Sequence, residues 1–240
     1  MQFTDSHIHL QDYKEKNKQQ IIKNMQAIGF SKIICASSHP SDWDKVAALT
    51  LSAPNFIISA FGIHPWYVNQ AVANWQVLLV EYLNKFPLAI IGECGLDNLK
   101  ADNKDLQERI FCDQIKIAKN FNRPICIHAL KADNQIEKLL PQMPNKFMIH
   151  AFHGSLQFLQ KALNFNGYIS ISSAILRQKN HVDIIKQIPL NRILSESDGP
   201  YMSSFEKIDD FVSYVAKIKN IDKITLTKQI YCNFEEFCHV

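Results

Sequence analysis

The sequence predicts an α/β protein, a single (β/α)8 barrel that forms one domain over residues 1–240. Three observations support this fold class: eight short apolar segments, longer amphipathic segments between them, and polar residues where the apolar segments end. Apolar strands that alternate with helices are typical of a parallel sheet covered by helices. Eight such units in this length match a closed barrel, with an active site at the C-terminal ends of its strands.

Short apolar segments recur between longer amphipathic ones along the whole chain, and we take the short ones as strands. The predicted strands are Phe3–Leu10, Lys32–Ser37, Phe56–Phe61, Leu88–Cys94, Pro124–His128, Phe147–Ala151, Tyr168–Ile171 and Arg192–Glu196.

The segments between the predicted strands repeat their apolar residues at helical spacing. Asp102–Asn120 is the clearest case, because its apolar residues form a single stripe along one face. That stripe consists of Leu106, Ile110, Phe111, Ile115 and Ala118. The other predicted helices are Trp75–Phe86, Phe205–Lys219 and a last one near Thr225–Cys238.

Composition and glycine pattern exclude several other classes. With 47% hydrophobic and 20% charged residues, the chain is neither disordered nor fibrous. An open, doubly wound sheet is the alternative fold, but the seven glycines form no phosphate-binding loop after any strand. The net charge of +3 tolerates a polyanionic substrate without predicting one.

The cysteines and the N-terminal segment bear on location. Six cysteines lack the spacing of a zinc ribbon, and Cys35, Cys94 and Cys126 lie inside apolar runs, as buried free thiols do. The first residues do not resemble a signal peptide, and no apolar run reaches membrane-spanning length. We expect a cytoplasmic protein, and the sequence implies neither membrane association nor a protein partner.

Histidines and acids concentrate at the C-terminal ends of the predicted strands, where a barrel builds its active site. Scattered surface residues would not choose these positions so consistently. The residues at or just past these ends are His7, His9, His64, Glu93, His128, His150, Glu196 and Asp198.

Each of these residues alone has a purely structural alternative. His7 and His9 share one face of a strand, where a hydrogen-bonded pair would also fit. Glu93 could form a buried salt bridge, His128 and His150 could be hydrogen-bonded core histidines, and Asp198 could cap a loop. Four imidazoles and two carboxylates converging on one barrel mouth would repel one another without cations. Nitrogen and oxygen donors suit Zn²⁺ or Mn²⁺, and six ligands favour two ions sharing a carboxylate.

Six segments together resemble the TatD family of metal-dependent deoxyribonucleases, in matching order from residue 3 to about residue 202. HxH or GxHP alone would be weak, whereas six motifs in register are specific. The segments are Asp5–His9, Gly62–Trp66, Ile91–Asp97, Pro124–His128, His150–Gly154 and Glu196–Pro200.

The resemblance implies a metallo-dependent hydrolase with two divalent ions, Zn²⁺, Mn²⁺ or Mg²⁺. It assigns His7, His9, Glu93 and Asp198 to one ion, and His128, His150 and the shared Glu93 to the other. Asp198 and Glu93 are then the expected catalytic residues, with Asp198 as the general base for an ion-activated water. Residues expected to contact substrate or surround the ligands are His64, Asp97, Glu196 and, at the rim, His153.

The sequence departs from the family pattern at two positions. Ala129 and Leu130 follow His128 where the family has a polar residue and an arginine, and Lys131 is the nearest cation. After Pro200, an expected segment rich in Arg, Asn and Pro is shortened. Both differences bear on substrate binding rather than on the metal ligands.

The expected reaction is hydrolysis of phosphodiester bonds in DNA, preferably at single-stranded or frayed ends. Trp66, Tyr67 and Phe152 could stack against a terminal base. The alternatives are a hydrolase of small phosphate esters or amides on the same site, or an inactive barrel acting as a binding scaffold. Steep salt dependence would distinguish a DNA-directed enzyme from a hydrolase of small molecules.

Overall fold

The computed structural model describes residues 2–14, 17–100 and 102–239. Its centre is a sheet of eight parallel strands whose spatial order follows their order in the chain. The strands are β1 (Phe3–Ile8), β2 (Phe30–Ala36), β3 (Ile57–Phe61), β4 (Ile90–Asp97), β5 (Ile125–Leu130), β6 (Phe147–Ile149), β7 (Tyr168–Ile171) and β8 (Ile193–Ser195).

Helices connect the strands and cover the outside of the sheet. None of the helices in the described ranges is both long enough and apolar enough to cross a membrane. The helices are α1 (Lys18–Ala27), α2 (Pro40–Ser52), α3 (Trp75–Lys85), α4 (Lys104–Asn120), α5 (Asp133–Leu139), α6 (Leu156–Asn164), α7 (His181–Gln187), α8 (Ile208–Lys219) and α9 (Lys223–Cys238).

Backbone hydrogen bonds join the first strand to the segment that follows the last one. The Asp198 N–H donates to the His7 carbonyl at 2.9 Å, and the His9 N–H donates to the Gly199 carbonyl at 2.8 Å. These bonds bring the two edges of the sheet together, so the (β/α)8 barrel is confirmed and the open-sheet alternative is wrong. They also place two segments rich in candidate site residues side by side.

The interior of the barrel is closed at its amino-terminal end by α9. Lys146, just before β6, donates to the Glu236 carbonyl, and Arg192, just before β8, pairs with the Glu236 carboxylate. The Phe237 ring lies 5.5 Å from that of Tyr168, the first residue of β7. The inner apolar cluster consists of Ile34, Ala36, Ile58, Ala60, Ile90, Cys126, Met148, Tyr168, Leu194, Phe234, Phe237 and Cys238.

The predicted elements all exist, but some of their boundaries differ. β4 continues to Asp97 instead of ending at Cys94, because Gly95, Leu96 and Asp97 keep pairing with β5. α8 begins at Ile208, since Phe205–Lys207 form a separate 3-10 turn. The strand ends nevertheless carry the polar residues as expected, and this arrangement positions the candidate site at the carboxyl-terminal mouth.

Because α9 closes the amino-terminal end of the barrel, we expect a large loss of stability when its buried aromatic side chain Phe237 is truncated. Phe237 is fully buried, so Phe237→Ala should lower the free energy of unfolding by about 3–5 kcal/mol. The matched control is Phe165→Ala, because Phe165 is 44% exposed and its truncation should cost about 0.5 kcal/mol or less. Urea denaturation followed by circular dichroism measures both, and equal losses would contradict the role assigned to α9.

Candidate metal centre

The structure brings all six predicted metal ligands together at the carboxyl-terminal mouth of the barrel. They come from five strands or the segments just after them, on both sides of the closure between β1 and β8. The six residues are His7 and His9 from β1 and its end, Glu93 from β4, His128 from β5, His150 after β6 and Asp198 after β8.

Glu93 reaches this mouth because β4 contains one extra residue relative to β5, between Ile91 and Cys94. A bulge of this kind redirects the side chains next to it. Gly92 lies in the bulge with φ of 139°, and a Cβ there would lie 2.8 Å from both the Cβ and the carbonyl oxygen of Cys126. Glycine is therefore required beside Glu93 for a steric reason.

The carboxylate of Glu93 is the centre of the cluster. Its Oε2 atom lies 3.2 Å from His7 Nε2 and 3.4 Å from His9 Nε2. Its Oε1 atom lies 2.8 Å from His128 Nδ1 and 3.0 Å from His150 Nε2. The two oxygens thus face different sets of imidazoles, which is the arrangement required for a carboxylate shared between two ligand groups.

Asp198 extends the group formed by His7 and His9. Its Oδ1 atom lies 3.6 Å from His9 Nε2 and 3.9 Å from His7 Nε2. The neighbouring Ser197 is held by Asp5, whose carboxylate accepts hydrogen bonds from the Ser197 N–H at 3.0 Å and the Ser197 hydroxyl at 2.5 Å. Asp5 therefore positions Asp198 across the barrel closure, a role that sequence analysis missed.

Hydrogen bonds on the far side of the histidines fix which nitrogen carries a lone pair. His9 Nδ1 lies 2.9 Å from the Ala36 carbonyl oxygen, which can only accept, so Nδ1 donates. His128 Nε2 likewise lies 3.0 Å from a carboxylate oxygen of Asp97. In the neutral ring the opposite nitrogen of each histidine then directs its lone pair toward Glu93, as metal-binding histidines do.

Glu196 lies beside His150, next to the ring nitrogen that does not face Glu93. Its Oε1 atom lies 3.3 Å from His150 Nδ1 and accepts a 2.6 Å hydrogen bond from the Ala151 N–H. This position matches the expectation that Glu196 supports a ligand rather than joining the set. The His7 Nδ1 atom lies 3.3 Å from the Cys126 thiol.

The pKa values show how strongly the cluster requires positive charge. Burial opposes ionisation of Glu93, but the surrounding imidazoles hold its pKa well below the ordinary value. Burial also disfavours charge on His9, His128 and His150, yet the neighbouring carboxylates raise the pKa of all three. Burial lowers the pKa of His7 to about 4. Protons bound here would be displaced by a metal ion.

No cationic side chain balances the acids of the cluster. Within the described ranges, no lysine or arginine forms an ion pair with the four carboxylates that contact its histidines. Buried carboxylates without a cation are costly. Imidazole nitrogen and carboxylate oxygen form a donor set that fits a divalent ion, so the residues present suit a metal site. The four carboxylates belong to Glu93, Asp97, Glu196 and Asp198.

His64 lies against this cluster as a hydrogen-bond donor. Its Nδ1 accepts from the Trp66 N–H at 3.1 Å, so in the neutral ring the hydrogen is on Nε2. Burial lowers the pKa of His64 to about 4, which keeps that ring neutral near pH 7. The Nε2 atom lies 3.2 Å from Glu93 Oε1 and 3.3 Å from His128 Nδ1. Oε1 therefore faces three imidazole nitrogens, those of His64, His128 and His150.

Asp97 occupies a different place from the one expected. It is fully buried behind His128 and accepts from the Trp66 indole at 2.6 Å, as well as lying 3.0 Å from His128 Nε2. These hydrogen bonds outweigh its burial and lower its pKa. Asp97 thus orients His128 and is not among the residues that line the cleft, and its contact with substrate stays a prediction.

The mouth opens into a cleft of about 550 Å³. Trp66 and Tyr67 line it as predicted, but Phe152 is 1% exposed and packs against Phe158, so it cannot stack against a base. Sequence analysis missed Tyr201, which is 66% exposed and follows the shortened segment after the Asp198 motif. Its position beside that motif is the one sequence signal that could have indicated a rim residue.

An eight-stranded barrel with this donor set at its carboxyl-terminal mouth defines a metal-binding α/β barrel of the hydrolase type. The chain belongs to the family described as TatD related DNase, which it matches over residues 4–239. The resemblance inferred from the sequence motifs is thereby confirmed, and the centre is a divalent-metal site.

Individual relatives agree with the family. The chain is 26% identical to "Deoxyribonuclease Tat-D" of Schizosaccharomyces pombe over 75% of this chain, but the match spans only 63% of that protein. It is 25% identical to "3'-5' ssDNA/RNA exonuclease TatD" of Pectobacterium carotovorum, over 78% of this chain and 75% of that one. The solved structure of YJJV, a TatD homologue from Escherichia coli K12, superimposes with a TM-score of 0.87 at 22% identity, covering 96% of this chain and 95% of that one.

The shared carboxylate predicts that divalent ions stabilise the folded protein through Glu93. Adding Mn²⁺ or Zn²⁺ at about 100 times its Kd should raise Tm by about 5–10 °C, because the ion binds only the folded state. In Glu93→Gln the shift should vanish, since the amide supplies neither the charge nor two oxygens. Differential scanning calorimetry measures the shift, and Glu81→Gln on exposed α3 surface is the matched control. An undiminished shift in Glu93→Gln would contradict the assignment.

Proposed function

We propose that the protein hydrolyses phosphodiester bonds of nucleic acid, preferably at single-stranded or frayed ends of DNA, with two divalent ions. In this proposal His7, His9, Glu93 and Asp198 hold one ion, and Glu93, His128 and His150 hold the other. The observation that carries the proposal is the position of Glu93, whose Oε2 faces His7 and His9 while its Oε1 faces His128 and His150, with His64 beside them.

The charge of the site supports two ions rather than one. Four carboxylates contact the histidines. Three of them, Glu93, Asp97 and Glu196, have a lowered pKa, whereas burial raises the pKa of Asp198 to about 7. Three buried negative charges exceed the charge of one divalent ion, which favours a second ion.

Nucleic acid as the substrate is supported by the relatives and by the shape of the cleft. The relatives named above are called a deoxyribonuclease and a single-stranded DNA/RNA exonuclease. Glu93 and His9 at the floor are 3% and 4% exposed, so a phosphate must enter the recess to reach them. A free or frayed strand end can do so more easily than continuous duplex.

The chain's own residues have distinct tasks in this reaction. When bound, divalent ions supply charge neutralisation at the phosphate and lower the pKa of water. The Asp198 carboxylate, at the edge of the cleft, accepts the proton of the attacking water. His64 donates its Nε2–H to a nonbridging phosphate oxygen, because the Trp66 N–H occupies its other nitrogen. Asp97 and Glu196 keep His128 and His150 in the tautomers that bind metal.

The six cysteines are free, and four of them, Cys35, Cys94, Cys126 and Cys238, are buried. Free cysteines in this number support the expectation of a reducing compartment, the cytoplasm.

Removing the charge of Asp198 should stop catalysis without disturbing the backbone. Asp198 has φ of 51°, a left-handed conformation that asparagine tolerates better than alanine, so Asp198→Asn is the informative variant. We expect its kcat to fall about 10²–10⁴-fold on a labelled single-stranded oligonucleotide, since the general base is lost. Asp183→Asn, on the exposed surface of α7, is the matched control and should keep wild-type kcat.

Unchanged kcat in Asp198→Asn would contradict its role as the base. Wild-type protein that binds metal and cleaves no nucleic acid would contradict the nuclease and favour the small phosphate esters or amides considered from the sequence. Elemental analysis of the same samples should find about two equivalents of metal in the wild type and in Asp183→Asn.

A further inference from the structure

The walls of the cleft contain one side chain with a permanent positive charge, Arg177, among the residues that the structure describes. Arg177 ends the 3-10 turn Ser173–Arg177 after β7 and is exposed. No carboxylate in the described ranges pairs with it, and no hydrogen bond occupies its guanidinium. An arginine that faces a cleft without an internal partner is available to a ligand, and its planar group suits phosphate.

Two further nitrogen-bearing side chains accompany Arg177. His153, after β6, lines the same cleft, and Lys131, directly after β5, is exposed. His153 and Arg177 line the same cleft, and the strands β5, β6 and β7 that carry these three residues are adjacent in the barrel. Burial lowers the pKa of His153, the charges of Lys131 and Arg177 lower it further, and Asp133 raises it, so His153 is a neutral hydrogen-bonding group near pH 7. We call this patch the cationic rim (Lys131, His153 and Arg177), after the charges of its lysine and arginine.

The backbone that carries the cationic rim is held in place. Gln178, the residue after Arg177, donates from its side chain to the Phe152 carbonyl at 3.0 Å, which ties the turn after β7 to the segment before His153. The Lys131 carbonyl accepts a 2.6 Å hydrogen bond from the Asn98 side chain. The backbones that carry Arg177 and His153 are therefore tied together without a ligand, which limits the backbone movement that binding requires.

The other side of the mouth has a different chemistry. Trp66 and Tyr67 after β3, and Tyr201 and Met202 after β8, line the cleft with aromatic and apolar surface. The Lys100 ammonium, which does not line the cleft, covers one face of Trp66 at 3.9 Å from the ring centre. A single strand of nucleic acid has phosphates along one side and bases with stackable faces along the other. The mouth matches that asymmetry, with the metal cluster on the floor between its two sides.

We propose that the cationic rim binds a phosphate other than the one being cleaved, on a nucleic-acid strand whose scissile phosphate lies at the Glu93 cluster. This inference rests on the proposed nuclease function. In this proposal Arg177 makes binding depend on the length of the substrate: strands with more than one phosphate contact the cationic rim, whereas a single phosphodiester does not. Arg177 also supplies a positive charge to a cleft in which Ala129 and Leu130, at the end of β5, replace the polar residue and arginine of the family pattern.

The test compares two substrates in two matched variants. Arg177→Gln removes the guanidinium, and Lys179→Gln removes a neighbouring exposed cation that does not line the cleft. The substrates are a short single-stranded oligonucleotide and bis(4-nitrophenyl) phosphate, which has one phosphodiester. In Arg177→Gln we expect KM for the oligonucleotide to rise about 10-fold with kcat retained. Its dependence on salt, as log KM against log salt, should weaken by about 0.7.

The controls separate binding of a second phosphate from a structural effect. Both kinetic constants for bis(4-nitrophenyl) phosphate should stay at wild-type values in Arg177→Gln, and Lys179→Gln should resemble the wild type on both substrates. A loss on both substrates, or equal effects of the two variants, would overturn the proposal. If the wild type cleaves DNA and Arg177→Gln has unchanged KM and salt dependence, the rim is wrong and the nuclease stands. If the wild type cleaves only the single diester, the nuclease and the rim are both wrong.

Discussion

The attraction between one buried carboxylate and the five imidazoles around it organises the mouth of this barrel. Glu93 is 3% exposed and has no lysine or arginine partner in the described ranges, so its charge must be met by the histidines or by what they bind. Because its two oxygens face different imidazoles, the same side chain takes part in two groups of candidate ligands. The bulge at Gly92 places Glu93 there. A larger residue than glycine in the bulge would collide with β5.

The second constraint is the closure of the barrel. One ligand group combines residues of β1 with Asp198, which lies at the other end of the sequence order. Hydrogen bonds that Ser197 donates to Asp5, and that the Asp198 N–H donates to the His7 carbonyl, hold the two edges in register. Fold and site are coupled here, because an open sheet would separate these ligands. The exposed residues Arg177 and Tyr201 line the cleft above these buried residues.

The sequence predicts the fold, and it predicts which histidines and acids meet at the mouth, because both depend on local patterns. Apolar runs mark the strands, and a parallel barrel necessarily gathers the residues that end them. What it could not predict depends on packing between distant segments. Phe152 follows a site histidine yet faces Phe158 in the core, Asp97 lies behind His128, and Arg177 reaches the cleft from a turn with no recognisable motif. In each case side-chain direction is decided by neighbours that the local sequence does not specify.

The central claim is that Glu93 is shared by two metal ions. X-ray diffraction from Mn²⁺-loaded crystals, recorded near the manganese absorption edge, tests it most directly because the anomalous signal locates each ion. The account predicts two peaks, one beside Oε2 among His7, His9 and Asp198, and one beside Oε1 with His128 and His150. A single peak, or two peaks of which one is away from Glu93, would contradict the account.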